Sequence, residues 1–400
     1  MPQTASLPPA YHNWKKKSAL FLISQNVSLF GSSVVGFAII WHITLETTSG
    51  WWLTLATLTF NLPNVIISPW AGVWADRYQR KPLIMAADAF VALATLAVAL
   101  AFWSGWRSLE LLLLASTFRS LGGGVQGPAV NALYPQLVPP EHLARVQGLN
   151  QTCASVLMLL SPVVGGLILG LMGLEAAFLV DVVTAALAIA ILAAIKIPPN
   201  EPGATESTFK EMRGGLAYVF GHRLLRRLTL CLAVFFFLVT PAGVLTPLMI
   251  ARSFGPEVWR LTANELAWAG ASILGGLLVT RHGEFQDKVR ALALCLAAFG
   301  FCFGLLGLAG NFTVYLSLMG LAGFFLPIFI TVETVFIQQT ADPKMLGRVF
   351  SINQLLWNSA MPAAILLFGP LADRVSVESL LVASGLMMLA LAGWYYYTND

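Results

Sequence analysis

Charge is what this 400-residue sequence has least of. Asp, Glu, Lys and Arg make up 10% of it, where a soluble globular chain carries roughly a quarter. A water-soluble fold of this size would alternate polar faces with its core. Here the apolar stretches run for about 20 residues or more and recur along the whole chain, each long enough to cross a hydrocarbon layer ~30 Å thick as a helix. Backbone groups in lipid must be bonded internally, so such runs are read as transmembrane helices. Cysteine is scarce as well. Cys153, Cys231, Cys295 and Cys302 all fall in apolar runs, and their spacing offers neither a disulfide framework nor a metal site. They are expected to be small buried apolar residues. The five histidines (His12, His42, His142, His222, His282) are scattered at ends and loops. There is no Walker lysine loop, no Gly-x-Ser-x-Gly elbow and no paired His/Asp cluster on a span. These absences argue against ATP-driven work, hydrolysis, a metal or a cofactor. The formal net charge of +4 is dispersed over short loops, which argues against a nucleic-acid partner.

What is present is a series of twelve candidate spans, near 18–43, 50–74, 82–103, 109–133, 146–170, 176–196, 228–250, 263–281, 289–309, 312–337, 349–371 and 378–397. The polar, basic start from Met1 to Lys17 precedes an apolar run too long for a cleaved signal, so that run is read as the first helix. Turn-rich or charged segments separate the spans. The longest, with Pro198-Pro199, Pro202 and Gly203, divides the chain near its middle. The expected organisation is a six-helix bundle over 1–196, a linker over 197–227 and a second six-helix bundle over 228–400. Lys and Arg segregate across this layout: eighteen fall in segments on the side of the N-terminus. Four (Arg107, Arg252, Arg260, Arg374) fall on the other side, and Arg119 lies inside a span. Positive loops face the cytoplasm, so both termini are expected there, in a plasma (inner) membrane.

The halves repeat. Pro140, Leu143, Arg145, Val146, Asn150 and Gln151 recur as Pro343, Leu346, Arg348, Val349, Asn353 and Gln354 at a constant offset of 203, which Gly166 and Gly369 share. Gly72 and Arg77 match Gly276 and Arg281 one residue further on. Two like halves in the same orientation imply a pseudo-two-fold axis along the membrane normal, an arrangement that places a small-molecule site near the midplane.

The loop after the second span reads Gly72-Val73-Trp74-Ala75-Asp76-Arg77-Tyr78-Gln79-Arg80-Lys81-Pro82. Gly72 permits close helix packing, Asp76 can cap a helix or pair with a base, and Arg77, Arg80 and Lys81 anchor the loop. The segment resembles the signature between helices two and three of the major facilitator superfamily, with Gln79 where that pattern usually has Gly. The resemblance implies an all-α membrane fold of twelve helices in two pseudo-symmetric bundles. It also implies that Asp76 and the nearby bases form a cytoplasmic latch, with Arg348 as a partner for Asp76. Arg119-Ser120-Leu121-Gly122-Gly123 resembles the family's intramembrane arginine motif; its alternative is an ion pair that only positions helices. Gly148, Pro162, Gly165 and Gly166 resemble the Gly/Pro motif of the superfamily's exporters, although Leu157 and Ser161 stand where two glycines are usual. The whole layout is similar to the macrolide-efflux and enterobactin-exporter branch.

Proton coupling needs a buried carboxyl, and the candidates are Asp88, Asp181 and Glu333. Asp88 is expected to pair with Arg77 or Arg80, and Asp181 is placed where it could pair with Arg119. Glu333, in a span that the resemblance puts along the cavity, is the first choice for the proton. A cavity for a bulky amphipathic compound would draw on Asn26, Phe30, Phe37, Phe235, Phe236, Phe325, Phe329 and Trp357, fewer than half of which are expected to touch it. The expected function is secondary export of a lipophilic, macrolide-like compound or a siderophore in exchange for protons, by a monomer. The alternatives are a proton-coupled nutrient importer of the same fold and a non-transporting membrane receptor.

Overall fold

The computed structural model describes residues 13–197, 208–282, 285–342 and 345–399. Pro198, Pro199, Pro202 and Gly203 of the linker and Pro343 and Lys344 of the second repeat copy lie outside them, as does the start of the chain through His12. The described residues form fourteen α-helices: α1 Trp14–Thr47, α2 Gly50–Arg77, α3 Arg80–Trp103, α4 Leu109–Leu137, α5 Pro140–Leu171, α6 Leu174–Ala194, α7 Thr208–Gly221, α8 Arg223–Val244, α9 Thr246–Ser253, α10 Val258–His282, α11 Lys288–Leu306, α12 Phe312–Thr340, α13 Leu346–Ala372 and α14 Val377–Asn399. All twelve expected spans fall on these helices. The seventh is split between α8 and α9: Pro241 lies in the last turn of α8, and Pro247 opens α9. A proline lacks the N–H of the helical ladder and is at home in a first turn, so the pair ends one helix and starts the next. The short α7 is the amphipathic part of the linker.

Nine helical segments among the described residues are long and apolar enough to cross a membrane on those grounds alone. The helices α2, α4 and α10 are more polar: α2 carries Asn61, Asn64 and two prolines, α4 carries Arg119, and α10 carries Arg260, Asn264 and Glu265. Burial is inverted relative to a soluble protein. Leu93, Leu167, Leu171, Ile273, Leu274 and Leu294 each stand more than half exposed, while Asp88, Arg119, Asp181 and Asn353 are buried. That is the pattern of a bundle whose solvent is lipid. Cys231, Cys295 and Cys302 are buried as expected; Cys153 is not, because its position on α5 faces outward.

The chain divides into two compact units, Met1–Ile43 with Leu58–Thr205, and Thr44–Thr57 with Glu206–Asp400. The division falls inside the expected linker, and residues 206–227 go with the second unit, where α7 packs on α8 and α13. The turn between α1 and α2 also belongs to the second unit. Each unit has its own core, and the repeat shows in the packing. In the first unit α3, the third span, packs on α4 and α6. In the second, α11, the ninth span, packs on α12 and α14, the tenth and twelfth.

Candidate functional site

Four polar clusters stand out. In the first unit, Arg119 on α4 makes an ion pair with Asp181 on α6, both almost fully buried. Thr95 on α3 donates to Asp181 Oδ2 at 2.8 Å and Ser32 on α1 donates to Oδ1 at 3.1 Å, while Arg119 Nη2 donates to the Ser32 carbonyl at 3.1 Å. Four helices therefore meet at one closed charge pair. The low dielectric makes an unpaired charge here prohibitive, and the two side chains neutralise each other.

Nearer the Arg80 end of α3, Asp88 is also buried, but its surroundings differ. Ser28 on α1 and Gln126 on α4 each donate to Asp88 Oδ1 at 2.7 Å, and the Gln126 amide also reaches Gln25 at 3.4 Å. The expected partnership with Arg77 or Arg80 is absent. Arg77 is exposed, and Arg80 donates instead to the carbonyls of Ala75 at 3.0 Å and Ala132 at 2.8 Å, with Asp76 at 3.8 Å. Spacing along α3 put Asp88 two turns from the bases, but Arg80 is taken up by main-chain carbonyls of α2 and α4 instead. Lys81 behaves likewise, bonding the carbonyls of Ala193 and Ile195 at 2.8 Å at the end of α6.

The Asp76 to Lys81 segment thus clamps the ends of α2, α4 and α6 within its own unit. Gly72 has open space where a Cβ would stand, so close packing does not account for it. Arg348, at the start of α13, lies against Met345. In α5, Pro162, Gly165 and Gly166 are buried and Gly148 is exposed. A Cβ on Gly165 would come within 3.2 Å of the Val34 carbonyl of α1, while one on Gly148 would meet nothing.

In the second unit, Glu333 on α12 accepts from Asn353 on α13 at 3.2 Å, with no cation partner among the described residues. Asn353 is the repeat counterpart of Asn150, whose amide oxygen accepts from Asn26 in the first unit at 3.4 Å. Glu265 on α10, which the sequence reasoning missed, accepts from Asn264 at 3.3 Å. Its signal was an acid in an apolar run; α10 starts at Val258 rather than the expected 263, so Glu265 lies two turns inside the helix. Of the expected cavity aromatics, Phe235 and Phe329 are buried with ring centroids 4.6 Å apart, and both stack into a core with Phe299. Both side chains belong to the core of the second unit. Phe30, Phe37 and Phe325 are half-buried, and Trp357 is exposed edge-on to buried Phe236.

The fourth cluster closes the far end of the second unit. Asp373, just past α13, accepts from the backbone N–H groups of Gly50 at 2.7 Å and Trp51 at 2.8 Å, from the Ser49 hydroxyl at 2.9 Å and from Arg252 at 2.7 Å. Burial would push this carboxyl up, but the donors from Gly50, Trp51, Ser49 and Arg252 outweigh it and hold it below the usual carboxylate range. Arg252 adds bonds to the carbonyls of Thr48 at 2.6 Å and Ala372 at 2.5 Å. Below this cap α2 and α13 nearly touch: a Cβ on Gly369 would collide with Thr54 Oγ1 and stand 2.9 Å from the Gly50 carbonyl. From sequence these residues read as plain turn and loop: Arg252 was counted only as a loop cation, and Asp373 escaped notice.

A family model described as Major Facilitator Superfamily matches residues 21–365. The chain belongs to the major facilitator superfamily. This superfamily member is a multi-pass membrane transporter, not an enzyme. It is 28% identical over 387 residues to macrolide efflux protein A of Streptococcus pyogenes, covering 96% of both chains. It is 24% identical over 384 residues to enterobactin exporter EntS of Escherichia coli O127:H6, covering 93% of this chain and 88% of that one. Among solved structures it resembles a POT family transporter in complex with 5-aminolevulinic acid (TM-score 0.73, 12% identity, 95% of each chain). It also resembles a bacterial homologue of the iron transporter ferroportin (TM-score 0.67, 17% identity, 94% of this chain and 98% of that one). At such identities the structural likeness concerns the fold.

Proposed function

We propose that this transporter exports lipophilic, macrolide-like compounds or a siderophore across the plasma membrane by alternating access, driven by proton entry, with both termini in the cytoplasm. The observation that carries the substrate class is the near end-to-end alignment with relatives named for macrolide efflux and enterobactin export. The orientation rests on the loop cations.

Proton coupling is supported by Glu333, a carboxyl on a transmembrane helix with an amide partner and no base among the described residues. A carboxylate so placed is costly in lipid and is neutralised by a proton more cheaply than by solvent. Glu333 therefore gives up its proton when a gate opens to water on the cytoplasmic side and reloads it from the outer side. The open amide–carboxyl pair suits this role better than the Arg119–Asp181 pair, whose partners already neutralise each other.

The test is growth of an efflux-deficient host expressing the chain, challenged with macrolides, cationic dyes and a catecholate siderophore. The expected result is a several-fold rise in tolerated macrolide or siderophore, lost in Glu333→Gln at equal membrane abundance. Unchanged tolerance to every compound would remove the export reading.

A further inference from the structure

Asp88 is left without a role by the latch, by the Arg119–Asp181 pair and by Glu333. It is 3% exposed, it has no ion pair among the described residues, and its Oδ2 is buried with no hydrogen-bond partner. Both of its donors, Ser28 Oγ and Gln126 Nε2, converge on the other oxygen, Oδ1. Gln126 is in turn bonded to Gln25, Gln25 to Ser24, and Ser24 to the Ala188 carbonyl of α6 at 2.9 Å. The site is thus built from four helices around a single acid. Nor is it part of the repeat: at the offset of 204 that Gly72 and Arg77 follow, Asp88 falls on Leu292, which is no acid.

We propose that Asp88, Ser28, Gln126 and Gln25 form a proton-binding site within the first unit, the proton sitting on Asp88 Oδ2. This deepens the proton-coupled reading and rests on it for its role in transport. Two hydrogen bonds to one oxygen mark that oxygen as the carbonyl of a neutral acid and leave the bare oxygen to carry the hydrogen. An ionised carboxylate would be expected to share its donors between both oxygens, and two neutral donors on one oxygen do not offset the cost of an unpaired buried charge.

The charged groups on the helices packed against α3 do not supply a counter-ion. Arg119 and Asp181 are committed to each other. Glu110 and Glu175 sit in the first turns of α4 and α6, at the Trp103 end, where Glu175 pairs with Arg107 at 2.6 Å. Arg80 and Lys81 on α3 itself are bonded to backbone carbonyls. The balance is simple: water on one side gives a proton to Asp88 Oδ2, and the same O–H bond breaks to return it to water on the other side. No other reactant is needed. The polar chain Ser24–Gln25–Gln126 supplies movable amides next to the acid.

The experiment is an infrared titration of the purified full chain in lipid, following the protonated-carboxyl C=O stretch as pH is stepped between about 5 and 9. Wild type should show a protonated-carboxyl band that Asp88→Asn removes and that Glu333→Gln and Glu265→Gln leave in place. Ser28→Ala and Gln126→Leu keep the acid but strip a donor from Oδ1. They should shift that band to higher frequency, an effect that survives even if Asp88→Asn fails to fold. A spectrum in which no carboxyl band responds to any of the three Asp88-site substitutions overturns the proposal. Displacement of the band by Na⁺ at fixed pH also overturns it, assigning the site to a metal cation. No substrate is required, so failure of the export reading and failure of this site are separate results.

Discussion

Asp373→Asn tests the reasoning about the α1–α2 turn most sharply. Asp373 is an anion held at the start of α2, where the first N–H groups have no intrahelical partner and the helix dipole is positive. Removing the negative charge from this helix N-terminus costs ~1 kcal/mol. The pair with Arg252 adds at most another ~1 kcal/mol, because roughly a third of each side chain remains in solvent. A loss of ~2 kcal/mol multiplies the open population of this turn by about 30.

Amide hydrogen exchange reads that population directly. Gly50, Trp51 and Leu53 should exchange about 30-fold faster in Asp373→Asn, while amides of α4 and α6 stay unchanged. The pH dependence gives a second check. Since the folded carboxyl is held below its usual range, its stabilisation is complete above the unfolded value of about 4. It is lost only as pH falls through the folded value. Protection corrected for intrinsic rate should therefore be flat from neutral down to about pH 5 and fall below about pH 4. Unaltered exchange in the variant, or loss of protection near neutral pH in wild type, would refute the argument.

Three further outcomes are expected. Arg119→Met leaves Asp181 buried and uncompensated, at a cost of ~3–5 kcal/mol. The double variant Arg119→Met/Asp181→Leu should recover most of the melting temperature, and a single variant no less stable than the double would count against the pair. Gly369→Ala drives a methyl into Thr54 Oγ1 and should cost ~1–3 kcal/mol by thermal denaturation; Thr54→Ala in the same chain should restore part of it. Lys81→Ala frees the carbonyls of Ala193 and Ile195, so exchange should rise at the last turn of α6, with a stability loss of ~1–2 kcal/mol; an unchanged α6 terminus would show the lysine bonds to be idle.

Much of the fold was legible because lipid leaves few choices: a long apolar run must be a helix, and the Lys and Arg between runs mark the loops. Helix ends were less legible. Arg260 reads as a loop residue, yet α10 begins before it; Glu265 lay inside the expected span 263–281 and was passed over among the intramembrane acids. The break between α8 and α9 was signalled by Pro241 and Pro247, but prolines are also tolerated inside α2, so their presence alone does not decide. Charge chemistry divided in the same way. Arg119 and Asp181 could be matched from sequence because buried opposite charges at similar depth have little alternative. Asp88 could not, because its donors Ser28 and Gln126 are neutral and come from helices 60 and 38 residues away in sequence. In the Asp373 cluster, Ser49 and Gly50 lie more than 300 positions from the acid they bond, at the junction of a turn and a helix start, where no periodicity marks a partner.

Substrate movement in proteoliposomes under an imposed pH gradient, with wild type and Glu333→Gln side by side, tests proton-driven export most directly. The account predicts that wild type moves a macrolide or catecholate siderophore against its own gradient when protons run the other way. It predicts that Glu333→Gln still exchanges substrate but ignores the pH gradient. Gradient-driven movement that persists unchanged in Glu333→Gln, or wild-type movement indifferent to pH, would contradict it.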